Sequence, residues 1–420
     1  MFDKRFKSHH DAEQFYSDLI KRERSSIAAV YEYLDNPITL KENAIYIHIP
    51  FCDRICSFCN MNRKYSNEPK DDYTNQLVEQ ISQMGKLQAF DTNHISAVYF
   101  GGGTPTTLEP QHFKQIIETI RENFILAEDV EITSETTLHN LTEEHVEVFN
   151  QVGVNRLSIG IQTFQTAGRK FFNRTYDKEE TINRLKQLKA TFNGYICVDK
   201  IYNYPGETEA MLRDDVKQII DLELDSVSFY SLMLHEGSVL SKKYDESNFS
   251  DQQDLKFHDL FVATLLETED YELMELTKIV RKNRDQYRYM SIRNGNGNTI
   301  PFGNGSGGKI EGFHIYNMDF ARTMVAKSTQ QVEETANAMY GLFQSNVVSK
   351  KTLENLANPL GNRVRKNLQI LVDSGFIIET DTTIKLTNKG LFYGNNIGGL
   401  VTRALLEDKL EGGNDENDES

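Results

Sequence analysis

Between residues 44 and 231 the sequence alternates six short β-rich runs with longer amphipathic stretches, and no other feature limits the fold as much. The runs are "AIYIHI" (44–49), "AVYFG" (97–101), "VEITS" (130–134), "NRLSIG" (155–160), "YICVDKI" (195–201) and "SVSFYS" (226–231). Between them lie stretches such as "YTNQLVEQISQMGKL" and "QHFKQIIETIRENF", whose apolar residues recur at helical spacing. Strand then helix, repeated in this way, implies parallel strands joined by crossover helices. The expected fold is α/β: a partial (β/α)6 TIM-like barrel over residues 44–240.

The flanks read differently. Residues 1–43 read as an N-terminal helical extension, "DAEQFYSDLIKRERSSIAAVYEYL", which "DNP" ends. Residues 241–330 read as an extension over the barrel mouth, with 232–290 largely helical and 291–320 glycine-rich and irregular. From 331 to 405, "ETANAMYGLFQ", "SKKTLENLA" and "RVRKNLQILVDSGF" read as helices and "IIETDTTIKLTNKG" as a hairpin. Three helices and a two-stranded wing predict a winged-helix-like α+β module. Residues 406–420 read as an acidic disordered tail, with seven acids and one lysine from Glu407 to Ser420.

The net charge is −16, which argues against a nucleic-acid partner, because such a partner needs a basic footprint. The winged-helix-like module is not strongly basic either, so a lid or interaction role suits it better than DNA binding. No apolar run approaches the ~18 residues of a membrane span. The N-terminus "MFDKRFKSHHDAEQFYSD" lacks a secretory apolar region. A cytoplasmic protein without a membrane span is expected.

Three of the four cysteines, Cys52, Cys56 and Cys59, fall within eight residues directly after the first strand. In a chain with so few cysteines this cluster points to metal binding or chemistry, not to disulfides. The C-x3-C-x2-C spacing departs from the paired halves of a zinc site and from the C-x-x-C of a dithiol redox motif. Three thiolates on a 4Fe–4S cluster, which takes four ligands, leave one iron open to an external ligand. Three buried structural thiols are the alternative, and a loop between Pro50 and Asn60 is a poor place to bury them. Cys197 stands apart inside a strand, where core packing is its expected role.

Barrel active sites collect at the C-terminal ends of the strands. Cys52 follows the first strand, and Gly101, Gly102 and Gly103 follow the second. Glu135, Gln162 and Ser231 end the third, fourth and sixth, and Asp199 lies late in the fifth. All are expected at one mouth. The triple glycine lets backbone groups approach a ligand closely. Gly303, Gly305 and Gly308 satisfy G-x-G-x-x-G, but no strand–turn–helix surrounds them and no acid follows at the required distance, so a dinucleotide site is not expected.

C-x3-C-x2-C after a first strand resembles the radical S-adenosylmethionine (SAM) enzymes. "YIHIPFC" narrows the resemblance to the subfamily of the oxygen-independent coproporphyrinogen III oxidase. "YFGGGTPTTL" (99–108), "GVNRLSIGIQTF" (153–164) and "DKIYNYPGET" (199–208) match that subfamily's motifs in order. The resemblance implies that Cys52, Cys56 and Cys59 hold a 4Fe–4S cluster whose open iron is chelated by SAM. An electron from the cluster then cleaves SAM to methionine and a 5′-deoxyadenosyl radical. By the same resemblance Tyr46, Gly102, Gly103 and Glu135 orient this first SAM. Phe58, Thr104, Gln162, Arg174 and Asp199, with Ser231 less firmly placed, hold a second SAM. A flavodoxin, ferredoxin or flavin reductase is implied as electron donor.

Three relatives compete. The oxidase carries a further cysteine where this chain has Met61, and the heme chaperone carries a His-Asn…Tyr-Trp signature although this chain has no tryptophan. "RYMSIRNGNGNTIPFGNGSGGKIEGFHIYN" (288–317) resembles the anaerobic heme-degrading radical SAM methyltransferases. That implies heme as substrate, addition of a SAM-derived methylene radical, and opening of the macrocycle to a linear tetrapyrrole with release of iron. Heme delivery, coproporphyrinogen oxidation and methylation of another substrate stay open as alternatives. His235 and His314 are candidate heme ligands or proton donors. Tyr316 and Arg322 are candidate partners for propionates.

Overall fold

The computed structural model describes residues 1–60, 64–65, 69–328, 331–357 and 360–415. Met61 and the last five residues lie outside the described residues.

Six parallel strands follow the six sequence runs: β1 (Asn43–Ile49), β2 (His94–Gly102), β3 (Ile125–Thr136), β4 (Arg156–Gln162), β5 (Tyr195–Tyr202) and β6 (Ser226–Ser231). Each pairs in parallel with the next. The crossovers carry helices α1 (Lys70–Gly85), α2 (Pro110–Asn123), α3 (Glu143–Val152), α4 (Lys178–Thr191) and α5 (Glu209–Asp221). Local chemistry sets their ends. α2 begins on Pro110, whose missing N–H costs nothing in a first turn. Thr142 and Asp177 cap α3 and α4 through capping boxes, and α3 stops at Gly153 with φ at 82°.

Period-two alternation sorts the strand residues between the two faces. Ile45, Ile47 and Ile49 of β1, Leu157, Ile159 and Ile161 of β4, and Val227 and Phe229 of β6 join the core beneath the helices. The other parity faces the concave side. It carries Tyr46 and His48, Tyr99, Glu131 and Glu135, Arg156 and Ser158, Cys197 and Asp199, and Ser228 and Tyr230. The outer face therefore supplies the apolar core, and the inner face carries the polar side chains, some of them bonded to one another and some open to the cavities.

The sheet continues beyond these six strands and stays open. Asn298–Phe302 pairs in parallel with β1. Gly307–Ile310, Phe313–Asn317, Thr323–Ser328 and Arg22–Ser25 then add antiparallel strands in turn. At the other edge Lys278–Arg281 runs antiparallel to β6 and pairs with Tyr271–Glu275.

Three expectations are corrected here. The glycine-rich stretch 291–320 is ordered sheet, not irregular chain. Gly303, Gly305 and Gly312 take positive φ at its turns, which breaks the sequence alternation without ending the pairing. A side chain at Gly308 would lie 2.2 Å from Thr299 O, so close strand contact explains that glycine. Residues 232–290 hold one long helix, Asp251–Leu266, and then the edge hairpin. Residues 1–43 are two helices, His9–Tyr16 and Ile27–Leu34, separated by the strand Arg22–Ser25. The charged "RERS" has no strand pattern of its own, and its pairing with Thr323–Ser328 supplies one.

The C-terminal module has the winged-helix order: Gln331–Leu342, Val347–Ser349, Lys350–Ala357, Asn362–Asp373, Ile377–Glu379 and Thr383–Leu386. A third strand, Val347–Ser349, joins the expected hairpin. The tail expectation fails in part, because helix Gly394–Asp415 runs well past residue 406 and buries Leu406. Arg363 forms ion pairs with Glu407, Asp408 and Glu411, which relieves the acidic repulsion along that helix. No helix of the described residues is long and apolar enough to cross a membrane.

Candidate active site

Cys52, Cys56 and Cys59 line one cavity of about 190 Å³, together with Phe58, Gly103, Thr104, Glu135, Gln162, Arg174 and Asp199. Five strand ends thus deliver their residues to a single space. The cysteine loop is held by its backbone. Gly103 N donates to Ile49 O at 2.8 Å and Thr104 N to Phe51 O at 2.7 Å. Ser57 Oγ donates to Phe171 O at 2.7 Å, and Asn173 Nδ2 to Ile55 O at 2.7 Å. A side chain on Gly103 would sit 2.5 Å from Phe51 O, so this contact demands glycine. Cys52 is buried with its Sγ 3.6 Å from Thr104 Oγ1, while Cys56 and Cys59 are half-buried. Among the described residues no three His, Cys, Asp or Glu side chains are placed to hold a single metal ion. A polynuclear cluster, with its irons at separate corners, does not require such convergence.

Two carboxylates face the cavity. Burial pushes the Glu135 carboxyl up to about 7, against the Tyr99 hydroxyl, which donates to Oε1 at 2.8 Å, and the Gly102 N–H. Burial also raises Asp199, against the opposing pull of Lys278, Arg156 and Arg174. Gln162 sits at φ 66°, strained for a residue with a side chain, at the end of β4. Gly160 makes room for the Arg174 guanidinium, since a Cβ there would lie 2.8 Å from Nη2. Arg174 Nε is buried with no hydrogen-bond partner, and its Cζ lies 6.0 Å from the Phe58 ring centre.

A second cavity of about 330 Å³ shares Phe58, Glu135, Gln162 and Asp199 with the first and continues to Tyr99, Tyr230, Ser231, His235 and Tyr287.

Comparison with known proteins gives this geometry a family. Residues 46–219 match the radical SAM superfamily. Residues 46–219 form a radical SAM domain. Proteins of this superfamily use a 4Fe–4S cluster and SAM. The chain is 27% identical over 379 residues to anaerobilin synthase of Escherichia coli O157:H7, covering 87% of this chain and 85% of that protein. It is 25% identical over 384 residues to the heme chaperone HemW of Bacillus subtilis, covering 86% of this chain and 99% of that one. The solved coproporphyrinogen III oxidase (HemN) of Escherichia coli shares the fold, with a TM-score of 0.77 at 20% identity over 91% of this chain and 95% of that one.

Not every sequence candidate reaches the cavities of the radical SAM domain. Tyr46 lies one layer behind, its ring stacked on Tyr99 and Tyr289 at 6.2 and 6.1 Å and its hydroxyl 3.1 Å from His48 Nδ1. Gly102, at φ 110°, packs on the His48 ring and contributes its N–H to Glu135. Ser231 lines the second cavity and donates to Asp254 Oδ2 at 2.7 Å. Cys197 is fully buried, as expected for a core residue. Arg322 is engaged by Asp319 at 2.5 and 2.7 Å, and Tyr316 is exposed on an outer strand. Sequence reading missed Tyr99 and Ser158, although both share the inward parity of their strands. It also missed Tyr287, for which no local pattern exists.

His314 is not at the mouth. Its Nε2 lies 2.8 Å from Glu333 Oε1, which also accepts from Arg22. Burial would raise the Glu333 carboxyl, but His314 and Arg22 outweigh it and hold it down at about 2. A carboxyl depressed on folding adds stability above its ordinary pKa and loses it as pH falls toward the depressed value. Glu333→Gln should therefore cost on the order of 2–3 kcal/mol at pH 7, and the difference from wild type should close between about pH 4.5 and pH 2. Urea unfolding across that range checks the prediction, and a difference independent of pH would refute it.

Proposed function

We propose that this protein is an oxygen-sensitive radical SAM methyltransferase of heme. It transfers a SAM-derived one-carbon unit to the macrocycle, opens it to a linear tetrapyrrole and releases the iron. The observation that carries this reading is the pair of contiguous cavities with a common wall, one on the cysteine loop and one beyond it. Such adjacent places suit SAM chemistry against the cysteine loop, where the residues for both SAM molecules gather, with the acceptor in the cavity beyond. The similarity to anaerobilin synthase along most of both chains supports the choice of substrate.

The residues fit the cofactors on two counts. Three thiols on one cavity offer the soft donors that iron–sulfur clusters take, and Gly103 clears backbone space beside them. The buried, unpartnered Arg174 Nε in the cavity wall fits a carboxylate such as the methionine end of SAM. Cys52, Cys56 and Cys59 would hold the cluster, which when bound supplies the single electron that cleaves SAM. Glu135, fixed by Tyr99 and the Gly102 N–H, would face the cationic groups of the first SAM, and Tyr46 buttresses Tyr99. Phe58, Thr104, Gln162, Arg174 and Asp199 would seat the second. A flavodoxin, ferredoxin or flavin reductase would deliver the electron, in the cytoplasm.

The test is anaerobic incubation of reduced enzyme with heme and methyl-deuterated SAM, with products read by mass spectrometry. An iron-free tetrapyrrole carrying deuterium is expected. Heme held tightly but unchanged would transfer the assignment to a chaperone. Inert heme with consumption of coproporphyrinogen would transfer it to an oxidase.

Arg174→Ala separates the two SAM places. Methyl transfer should fall by roughly tenfold or more, in keeping with loss of a charge-assisted hydrogen bond. Cleavage of SAM to 5′-deoxyadenosine should persist. Arg174→Lys should rescue poorly, because an ammonium lacks the planar fork. Parallel loss of both activities would remove Arg174 from the second place.

A further inference from the structure

Past Ser231 the chain leaves β6 and runs without regular structure to His235. Its side chains divide between two environments. Leu232 and Leu234 pack into the aromatic cluster around Phe172 and Tyr204. Ser231, Met233 and His235 line the second cavity, and Leu232 borders both. The leucines anchor the segment, so the His235 ring is held at the cavity wall by packing that it does not itself supply.

The His235 imidazole is half-buried, and no described side chain hydrogen-bonds to it. Burial lowers its pKa, against a weak opposing pull from Asp11, so the ring is neutral at physiological pH with a lone pair free. The other groups on this cavity are weaker ligands for iron. Tyr230 and Tyr287 are phenols that keep their protons, Tyr287 pushed up by burial, whereas an iron-binding tyrosine is a phenolate. Glu135 and Asp199 are raised and belong to the wall shared with the cysteine cavity. Met233 offers only a thioether. The half-buried Phe58 and Tyr287 rings on this cavity supply apolar surface suited to a macrocycle.

We infer that His235 coordinates the iron of the porphyrin substrate, pinning the macrocycle in the second cavity with its edge toward the cysteine cavity. This rests on the proposed heme reading and deepens it. Coordination selects a metallated porphyrin over a metal-free one. It also gives product release a cause: once the iron has left, the linear tetrapyrrole has lost its bond to His235.

The test uses the holoenzyme without SAM, titrated anaerobically with ferric heme and, separately, with metal-free protoporphyrin. Binding is followed by Soret absorption and magnetic circular dichroism. Wild type should give the spectrum of imidazole-ligated heme. His235→Ala and His235→Gln should lose that signature and weaken heme binding about tenfold or more, with protoporphyrin affinity unchanged. Added imidazole should restore the spectrum of His235→Ala. An unchanged heme spectrum in both variants, or equal weakening toward both porphyrins, overturns the inference. If wild type consumes heme and the variants hold it with the wild-type spectrum, only the ligand assignment falls. If wild type neither binds nor consumes heme, the substrate reading falls and takes the ligand with it.

Discussion

Replacing Cys52, Cys56 and Cys59 together by alanine is expected to reduce both bound iron and SAM cleavage to background while leaving a folded protein. The fold survives because the loop is not built on the thiols. It hangs on backbone bonds from Gly103 and Thr104, on Ser57 and on Asn173. Cys56 and Cys59 are half-buried, so truncating them removes little core. Cys52 is buried, and its loss costs about 1 kcal/mol as a small cavity. The chemistry has no such redundancy, because no other cysteine lies on either cavity. Cys197→Ser supplies the control. Its Sγ donates to Asp285 Oδ2 at 3.1 Å in the barrel interior, and serine keeps that donor. Iron content and 5′-deoxyadenosine formation should then match wild type. Full iron loading in the triple variant would remove the three cysteines from the cluster site.

The contrast between these cysteines shows how legibility was distributed. Cys52, Cys56 and Cys59 were readable because spacing in a loop after a strand is local information. Cys197 was readable because its strand continues in apolar residues on both sides. The same held for Glu135 and Gln162 at the ends of their runs and for Asp199 late in its own, where strand order placed each at the mouth. Arg174 was different. It follows a short helix, and only the missing side chain of Gly160 lets its guanidinium into the cavity. The family resemblance named it, and its own neighbourhood in sequence did not. Elements stabilised from a distance were the ones misread. Arg22–Ser25 is a strand because a partner three hundred residues away offers it an edge. The glycine-rich segment is sheet because its turns need positive φ, which in sequence looks like disorder. The helix beyond residue 406 persists because Arg363 meets its acids. The winged-helix order was legible because its helices carry their own apolar period.

The second large expected effect lies at the floor of the barrel, on residues with no local signature. Arg156 of β4 is fully buried and meets Asp285 through two hydrogen bonds, Nε to Oδ1 at 2.9 Å and Nη2 to Oδ2 at 3.1 Å. Asp285 also accepts from Ser226 Oγ at 2.6 Å and from the Tyr287 N–H at 3.0 Å, and Lys278 Nζ stands 3.5 Å away. The Tyr287 ring covers both cations, 4.1 Å from Arg156 Cζ and 4.5 Å from Lys278 Nζ. Burial alone would raise the Asp285 carboxyl, but Arg156 and Lys278 dominate and hold it far below the usual carboxylate range. Asp285 is therefore the anion in direct contact with two buried cations, which Glu131, Asp199 and Glu275 face without a direct bond. Asp285→Ala leaves both without a partner there, and breaking a buried pair from one side costs about 3–5 kcal/mol. Domains are stable by about 5–15 kcal/mol, so this is a large share of the total. Urea unfolding of Asp285→Ala should show that loss. Asp285→Asn should fall between it and wild type, since it keeps an acceptor for Arg156 and gives up the charge. Arg156→Met combined with Asp285→Leu should recover part of the loss, because an apolar pair of similar volume leaves only Lys278 uncompensated. The site should respond as well. Asp199 is raised by burial against Lys278 and Arg156, so freeing those cations should draw its carboxyl down and loosen the wall that the two cavities share. If Asp285→Ala unfolds within about 1 kcal/mol of wild type, the network is not what holds the barrel floor.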